Sequence, residues 1–142
     1  MTPDGGEAFP YHDRVEVRFR DLDPMGHAHH SLPLMYFEEA RAAAWRELVG
    51  PSLGAIHYIM AEVTVRFHAR IRYPAMLDVG VRLARLGEKS WTLEYELRDE
   101  AGELLASGST VQVMYDYAAS RTRPVPPAVR AALERLRGSG DE

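Results

Sequence analysis

Apolar and polar residues alternate along several stretches of the chain, which is the pattern of half-buried β-strands. The clearest stretch is residues 62–69, where Val63, Val65 and Phe67 fall on one face and polar side chains on the other. The alternation predicts five strands: from Arg14 to Arg20, from Glu62 to Ala69, through Val79–Leu83, through Trp91–Leu97, and from Leu104 to about Tyr117.

Between the first two predicted strands the apolar period changes from two residues to about 3.6, which indicates a helix. The residues that recur at this spacing are Leu34, Phe37, Ala40, Ala44 and Leu48. We therefore expect one long helix from about Ser31 to Val49, with Ser31 as its N-cap and Gly50-Pro51 at its end. A short amphipathic helix is expected over Val129 to Arg137.

The order of these elements predicts the fold class. One long helix comes early, and the later strands are separated by the turn Gly87-Glu88-Lys89 and the hairpin Asp99-Glu100-Ala101-Gly102. This order favours an α+β fold in which an antiparallel meander wraps around one helix. Residues 1–11 are expected to be a flexible lead-in, residues 12–137 the folded domain, and residues 138–142 a disordered tail.

Composition narrows the class of protein. With 142 residues the chain is expected to be one domain, and 46% hydrophobic residues are enough for a core. A single sheet layer around one helix leaves much surface uncovered, which favours an oligomer. The formal net charge of −4 argues against nucleic acid as a partner. The absence of cysteine excludes disulfides, a thiolate nucleophile and cysteine-rich zinc sites.

The sequence gives no sign of a membrane or secretory destination. The first residues lack a basic region followed by an apolar run, so they do not form a signal peptide. No apolar run approaches the length of a transmembrane helix. A soluble protein of the cytoplasm without membrane partners is therefore expected.

The strongest chemical signal is the segment Asp21–His30, which joins the first predicted strand to the long helix. It contains two aspartates, a turn at Pro24-Met25-Gly26 and three histidines. A helix N-terminus presents unpaired N–H groups and a partial positive charge, which can bind a carbonyl oxygen as it becomes negative. A nearby carboxylate can act as a nucleophile or general base. The segment therefore outlines an acyl-transfer site.

This segment resembles the hotdog-fold acyl-CoA thioesterases of the 4-hydroxybenzoyl-CoA thioesterase type. The positions at matching spacing are Asp21, Asp23, Gly26, His29, His30, Glu38, Ala40 and Arg41. The resemblance implies a hotdog fold, with Asp23 as the catalytic carboxylate and the backbone N–H of His30 as the donor to the thioester carbonyl. One departure is Pro33, where many relatives have an aromatic residue.

Later landmarks extend the resemblance over roughly residues 12–137. They are Val65-Arg66-Phe67, Pro74, Asp78, Ser90-Trp91, Gly102 and Arg123-Pro124-Val125-Pro126. The resemblance also implies an acyl-CoA substrate that contacts Gly26 and His29, with Arg85, Lys89 and Ser90 flanking a turn near the CoA phosphates. It implies a homodimer, or a tetramer of two dimers, in which sheets join edge to edge and active sites form across the interface. No cofactor is implied.

Several alternatives stay open at this point. One alternative to catalysis is that Asp23 does no more than cap its turn. Asp21 is expected to hydrogen-bond the loop backbone. Glu38 or Glu39 is expected to be solvated or paired with an arginine. The histidines do not have the spacing of a metal site, so no metal is expected. A non-catalytic acyl-binding or scaffolding protein and an acyl-carrier-protein thioesterase remain as rival functions. A hotdog dehydratase fits the spacing poorly.

Overall fold

The computed structural model describes residues 9–26, 28–49 and 57–137 of the chain. The strands are β1 (Tyr11–Glu16), β2 (Tyr58–Phe67), β3 (Met76–Leu86), β4 (Ser90–Arg98), β5 (Leu104–Asp116) and the short β6 (Arg121–Thr122). The helices are α1 (Leu32–Val49) and α2 (Pro127–Glu134), and one 3-10 turn spans Phe19–Asp21. The predicted fold class is confirmed: an antiparallel sheet surrounds one long helix, with a short helix near the C-terminus.

The strand order corrects the expectation of a simple meander. The five main strands lie in the order β1-β3-β4-β5-β2, all antiparallel, and β6 pairs with β5. Only β3, β4 and β5 form a meander. The connection between β1 and β2 carries α1, so β2 joins the far edge of the sheet beside β5 instead of its neighbour in sequence.

The core lies between α1 and the inner face of the sheet. The predicted inward residues of the third and fourth strands are all buried: Val79, Val81, Leu83, Trp91, Leu93, Tyr95 and Leu97. The helix face differs from the predicted one, because Leu34 and Leu48 are only partly buried. The buried positions of α1 are Pro33, Tyr36, Phe37, Ala40, Arg41, Ala44 and Trp45. The buried face of α1 is therefore rotated from the predicted one, and it includes Tyr36, Arg41 and Trp45.

The first strand is shorter and earlier than expected. It was predicted to run to Arg20, but β1 ends at Glu16 and the chain turns into the 3-10 segment. Val17 is buried and its N–H donates to the Ala75 carbonyl, whereas Phe19 is 75% exposed. The apolar alternation in the sequence continues beyond Glu16, the last residue of β1 that pairs with β3. The pattern alone therefore placed the end of the strand too late.

Strand β2 begins at Tyr58, earlier than the expected start at Glu62, and leaves part of its apolar face uncovered. Val63 lies opposite the buried Thr110 on β5, so its side chain is on the helix side of the sheet. Val63 and Phe67 are nevertheless 41% and 59% exposed, because α1 packs chiefly against β1, β3 and β4. The edge of the sheet therefore combines a free strand with uncovered apolar side chains.

The structure describes the start of the folded part of the chain and its last helix. Phe9 is buried and β1 starts at Tyr11, so ordered structure begins inside the expected lead-in of residues 1–11. The rest of that lead-in, the helix end at Gly50-Pro51 and the tail 138–142 lie outside the described residues. In α2 and just after it, the predicted apolar residues Val129, Leu133 and Leu136 are buried.

None of the described helices has the length and hydropathy needed to cross a membrane.

Candidate active site

Asp21 is a structural residue in this fold, as its position in the sequence suggested. It is 8% exposed, and its Oδ2 accepts a hydrogen bond from the backbone N–H of Arg18 at 2.9 Å and another from the hydroxyl of Tyr36 at 2.8 Å. A buried carboxylate needs such partners, since an unpaired one is costly. Asp21 therefore ties the 3-10 segment to the second turn of α1.

Asp23 begins the turn that separates the 3-10 segment from the helix. Its Oδ1 accepts the N–H of Met25 at 2.9 Å, and its carbonyl accepts the N–H of Gly26 at 3.0 Å. Gly26 has a φ of +84°, a left-handed conformation that strains residues with a Cβ. The turn-capping interpretation of Asp23 is thus correct as far as it goes. It does not exclude a chemical role, because Asp23 also lines a cavity.

The N–H of His30, just before α1, is available to a ligand. The N–H of His29 donates to the carbonyl of Asp21 at 2.9 Å, that of Ser31 to the Nδ1 of His29 at 3.2 Å, and that of Leu32 to the carbonyl of His29 at 2.9 Å. Within the described residues the N–H of His30 has no hydrogen-bond partner. It is therefore free to bind a ligand oxygen at the positive end of the helix dipole.

A cavity of about 390 Å³ brings the predicted catalytic positions together. Asp23, His29 and His30 form one wall, and the end of β2 with the following residues forms the other. The complete lining is Asp23, Ala28, His29, His30, Pro33, Phe67, His68, Ala69, Arg70, Ile71 and Leu105. The cavity thus joins a carboxylate, a helix N-terminus and an apolar wall.

The histidines at the helix start have defined geometry. The rings of His29 and His30 lie 4.0 Å apart between centroids, tilted by 33°. Because a backbone N–H can only donate, the bond from Ser31 makes Nδ1 of His29 an acceptor, and neutral His29 then carries its proton on Nε2. His27 lies outside the described residues. Within the described residues no group of three His, Asp or Glu side chains is arranged to hold a metal ion.

Two polar residues of this cavity, His68 and Arg70, lie outside the sequence motif and were missed by sequence reasoning. They directly follow β2, and the Nε2 of His68 lies 2.9 Å from the hydroxyl of Ser107. Their distance in sequence from Asp23 concealed them, since only the pairing of β2 with β5 places the end of β2 beside the helix start. A polar pair at the end of a predicted strand was the one available signal.

The predicted phosphate contacts lie elsewhere in the protomer. Arg85 is near the end of β3, and Lys89 and Ser90 belong to the turn that leads into β4. Ser90 pairs with Val113 of β5, whereas the cavity reaches β5 at Leu105. Eight residues of strand separate these points, roughly 26 Å at about 3.3 Å per residue. One protomer therefore does not bring these residues to Asp23.

A second cavity, of about 480 Å³, lies between α1 and the Tyr58 end of β2. It is lined by Glu38, Arg41, Ala42, Trp45, His57, Tyr58 and Tyr117. Glu38 faces this cavity, and its carboxylate lies 3.7 Å from the guanidinium of Arg41. Glu39 pairs with Arg18 at 3.4 Å. Both helix glutamates are thus paired with arginines, and neither lines the Asp23 cavity.

Comparisons with known proteins agree with this architecture. Residues 17–133 match the thioesterase-like superfamily. A solved structure of a thioesterase from Thermus thermophilus, complexed with coenzyme A and zinc, is 35% identical, with a TM-score of 0.82 and coverage of 92% of this chain and 96% of that one. A putative thioesterase from Pseudomonas aeruginosa is 30% identical, with a TM-score of 0.79 and coverage of 87% and 98%.

A curated relative adds a longer protein. The L-carnitine dehydrogenase/betainyl-CoA thioesterase of Agrobacterium fabrum is 33% identical over 75 residues, which are 53% of this chain and 16% of that protein. The match therefore concerns one part of a larger chain.

Proposed function

The chain belongs to the thioesterase-like superfamily and is a thioester hydrolase, and from this premise we propose that it hydrolyses acyl-CoA esters with Asp23 and the helix N-terminus at His30 as its catalytic groups. The observation that carries the proposal is that Asp23 and His30 line the same cavity and that the N–H of His30 has no partner among the described residues. The proposal that CoA carries the acyl group is supported by the relative from Thermus thermophilus, whose structure was solved with coenzyme A.

In this proposal the helix start acts on the carbonyl oxygen. Attack on a thioester carbon places a negative charge on that oxygen, and a preorganised N–H donor stabilises it. The N–H of His30 supplies the donor, and the dipole of α1 adds to its effect. The neighbouring N–H groups are already engaged in the protein, so the donor is held without having to move when the charge develops.

Asp23 supplies the second group, by one of two balanced routes. As a general base it takes a proton from water, the resulting hydroxide adds to the carbonyl carbon, and collapse expels the CoA thiolate, which takes up the proton. As a nucleophile its oxygen displaces the CoA thiolate to give an anhydride; water then cleaves the anhydride to the acid and the Asp23 carboxylate, and the proton that this water releases goes to the thiolate. Both routes need a carboxylate at this position. Gly26 and His29 border the substrate as it enters.

The proposal includes a homodimer formed through β2. This strand is an edge with uncovered apolar residues, and edges of this kind are normally paired or covered. A two-fold axis beside β2 pairs it antiparallel with its copy, so the Tyr58 end of one strand lies beside the Phe67 end of the other. Two such dimers would form the tetramer. A cytoplasmic location is part of the same proposal.

The same pairing accounts for the remote basic residues. The turn with Lys89 lies at the Tyr58 end of the sheet, where Met114 bonds to both Lys89 and Arg123. Across a two-fold axis this end approaches the Asp23 cavity of the other protomer. We therefore assign the CoA phosphates to Arg85, Lys89, Arg121 and Arg123, with Ser90 beside them. Charge-assisted contacts to phosphate are strong enough to contribute to binding.

The experiment that tests the function is a hydrolysis screen with short, long, branched and aromatic acyl-CoA esters, in which release of free CoA thiol is measured. The proposal predicts turnover of at least one class. The same acyl groups attached to acyl carrier protein form the second arm of the screen. Faster hydrolysis of these esters than of the acyl-CoA esters would show that acyl carrier protein, and not CoA, carries the acyl group. Tight binding of acyl-CoA without turnover would instead indicate an acyl-binding protein.

A further inference from the structure

The second cavity is built around a buried cation. Arg41 is 7% exposed, although arginine is almost never buried unless it is paired. Its Nε donates to the hydroxyl of Tyr58 at 3.3 Å and its Nη1 to the hydroxyl of Tyr95 at 3.1 Å. Both partners are neutral hydroxyls. The hydrogen bonds therefore orient the guanidinium without neutralising its charge.

The polar network behind Arg41 is also neutral. The Tyr95 hydroxyl lies 2.6 Å from the hydroxyl of Thr110, and Nε2 of Gln112 donates to the same Thr110 oxygen at 2.6 Å. Burial raises the pKa of Tyr95, so its hydroxyl stays protonated at neutral pH. The network therefore provides dipoles and no anion on the buried side of Arg41.

The cavity side of Arg41 has donors to spare. Among the described residues, the nearest carboxylate to its Nη2 is that of Glu38 at 3.7 Å, which is longer than a hydrogen bond, and the Glu38 side chain is 41% exposed. The hydroxyl of Tyr58 accepts from Nε of Arg41, so its own proton remains to be donated. Two donors on one cavity wall, one of them charged and nine-tenths buried, match the two oxygens of a carboxylate.

We propose that this cavity receives the far end of the acyl group, and that Arg41 and Tyr58 select acyl groups ending in a carboxylate. The inference rests on the proposed thioesterase function and specifies its substrate class. The aromatic walls, Trp45, Tyr58, His57 and Tyr117, surround the carbon chain that leads to that carboxylate. A plain hydrocarbon end would leave the guanidinium with no anion within hydrogen-bond distance among the described residues, since the Glu38 carboxylate lies 3.7 Å away, and a cationic end would be repelled by it.

The cavity serves the active site of the other protomer. Arg41 lies eleven residues after His30, roughly 16 Å along the helix at about 1.5 Å per residue, which is too far for a short acyl group. In the antiparallel pairing of two β2 strands, the Tyr58 end of one protomer lies beside the Phe67 end of the other. A short acyl group held at Asp23 then reaches Arg41 of the other protomer.

The test compares two substrates of equal chain length in the full-length protein. Glutaryl-CoA has five acyl carbons and a terminal carboxylate, and pentanoyl-CoA has the same five carbons without it. We expect kcat/KM for glutaryl-CoA to be about 10-fold higher or more, since one hydrogen bond to a charged group contributes a factor of about 10 to 100. Equal or faster hydrolysis of pentanoyl-CoA, or of a trimethylammonium acyl-CoA of similar length, overturns the inference.

Two variants locate the effect. Tyr58→Phe keeps the ring and removes one donor, and Arg41→Gln removes the charge. Each is expected to lower the ratio of kcat/KM for glutaryl-CoA to that for pentanoyl-CoA about 10-fold, through KM for glutaryl-CoA. Tyr115→Phe, a similar change outside the cavity lining, is the control. If Arg41→Gln does not fold, Tyr58→Phe decides, and an unchanged preference there overturns the inference. Absence of turnover with every acyl-CoA would contradict the proposed function instead.

Discussion

The hydroxyl of Tyr36 donates a 2.8 Å hydrogen bond to Oδ2 of Asp21 inside the protein. This contact joins the second turn of α1 to the segment just before Asp23, so it fixes the approach of the turn to the helix N-terminus. Burial raises the pKa of Tyr36, and the carboxylate of Asp21 raises it further. The hydroxyl therefore keeps its proton well above neutral pH.

Tyr36→Phe is expected to lower stability by about 1–3 kcal/mol, because a buried carboxylate loses one donor. Since the folded pKa of Tyr36 is raised, its contribution is fully present below the unfolded pKa of about 10 and is lost as pH rises further. The difference in Tm between wild type and variant should thus be constant from pH 6 to 9 and shrink at more alkaline pH. A variant as stable as wild type at pH 7 would contradict this role.

Gly26→Ala tests whether the conformation of the turn matters to catalysis. Gly26 has a φ of +84°, and an added Cβ would meet no atom within 4 Å, so the cost is backbone strain of about 1 kcal/mol. Gly102→Ala is the matched control, since its φ is +92° with equally open space, in the hairpin between β4 and β5. Similar losses in Tm are expected, with a fall in kcat for Gly26→Ala alone. Equal kcat values for the two variants would show that the turn has no catalytic role.

The double variant Arg85→Ala and Lys89→Ala tests the phosphate contacts. We expect KM for acyl-CoA to rise about 10-fold or more with kcat nearly unchanged, because charge-assisted contacts remote from the thioester contribute uniform binding. Arg14→Ala with Arg72→Ala removes the same charge from exposed positions elsewhere. A wild-type KM in the first double variant would rule out these contacts.

Val63→Lys tests the dimer. Val63 is 41% exposed on the helix side of the edge strand β2, and an inward-pointing charge at a sheet edge blocks pairing with another chain. Light scattering at micromolar concentration should give a dimer or tetramer for wild type and a monomer for the variant. A monomeric wild type would remove the two-protomer site.

Much of the fold could be predicted from local patterns. The period of two around Trp91–Leu97 and the helical period around Phe37 both reflect burial on one face, which the sequence records directly. The strand order could not be obtained in this way, because the pairing of β2 with β5 depends on where α1 carries the chain. The end of β1 was missed for a similar reason, since Phe19 continues the alternation where β3 no longer pairs.

In the candidate site, too, local contacts could be predicted from the sequence and contacts that depend on tertiary packing could not. Asp23 and His30 lie seven residues apart in one motif, so their proximity could be predicted. His68 reaches the same cavity only through strand pairing, and the Arg41 cavity depends on the packing of α1 beside β2. Neither has a local signature. The rotation of the helix face that buries Arg41 was concealed because Leu34 and Leu48 fit the helical period equally well.

The most direct test of the central claim is the turnover of Asp23→Asn on an acyl-CoA that the wild type hydrolyses. Asn keeps the size of the side chain and the acceptor for the Met25 N–H, but it is neither a base nor an effective nucleophile. Asp21→Asn is the control, and it should lower Tm with a smaller loss of turnover, because Asp21 bonds to Arg18 and Tyr36.

We predict that kcat of Asp23→Asn falls on the order of 10²- to 10⁴-fold, with Tm and substrate binding near those of wild type. Near-normal kcat with an unchanged Tm would contradict the assignment of the chemistry to Asp23.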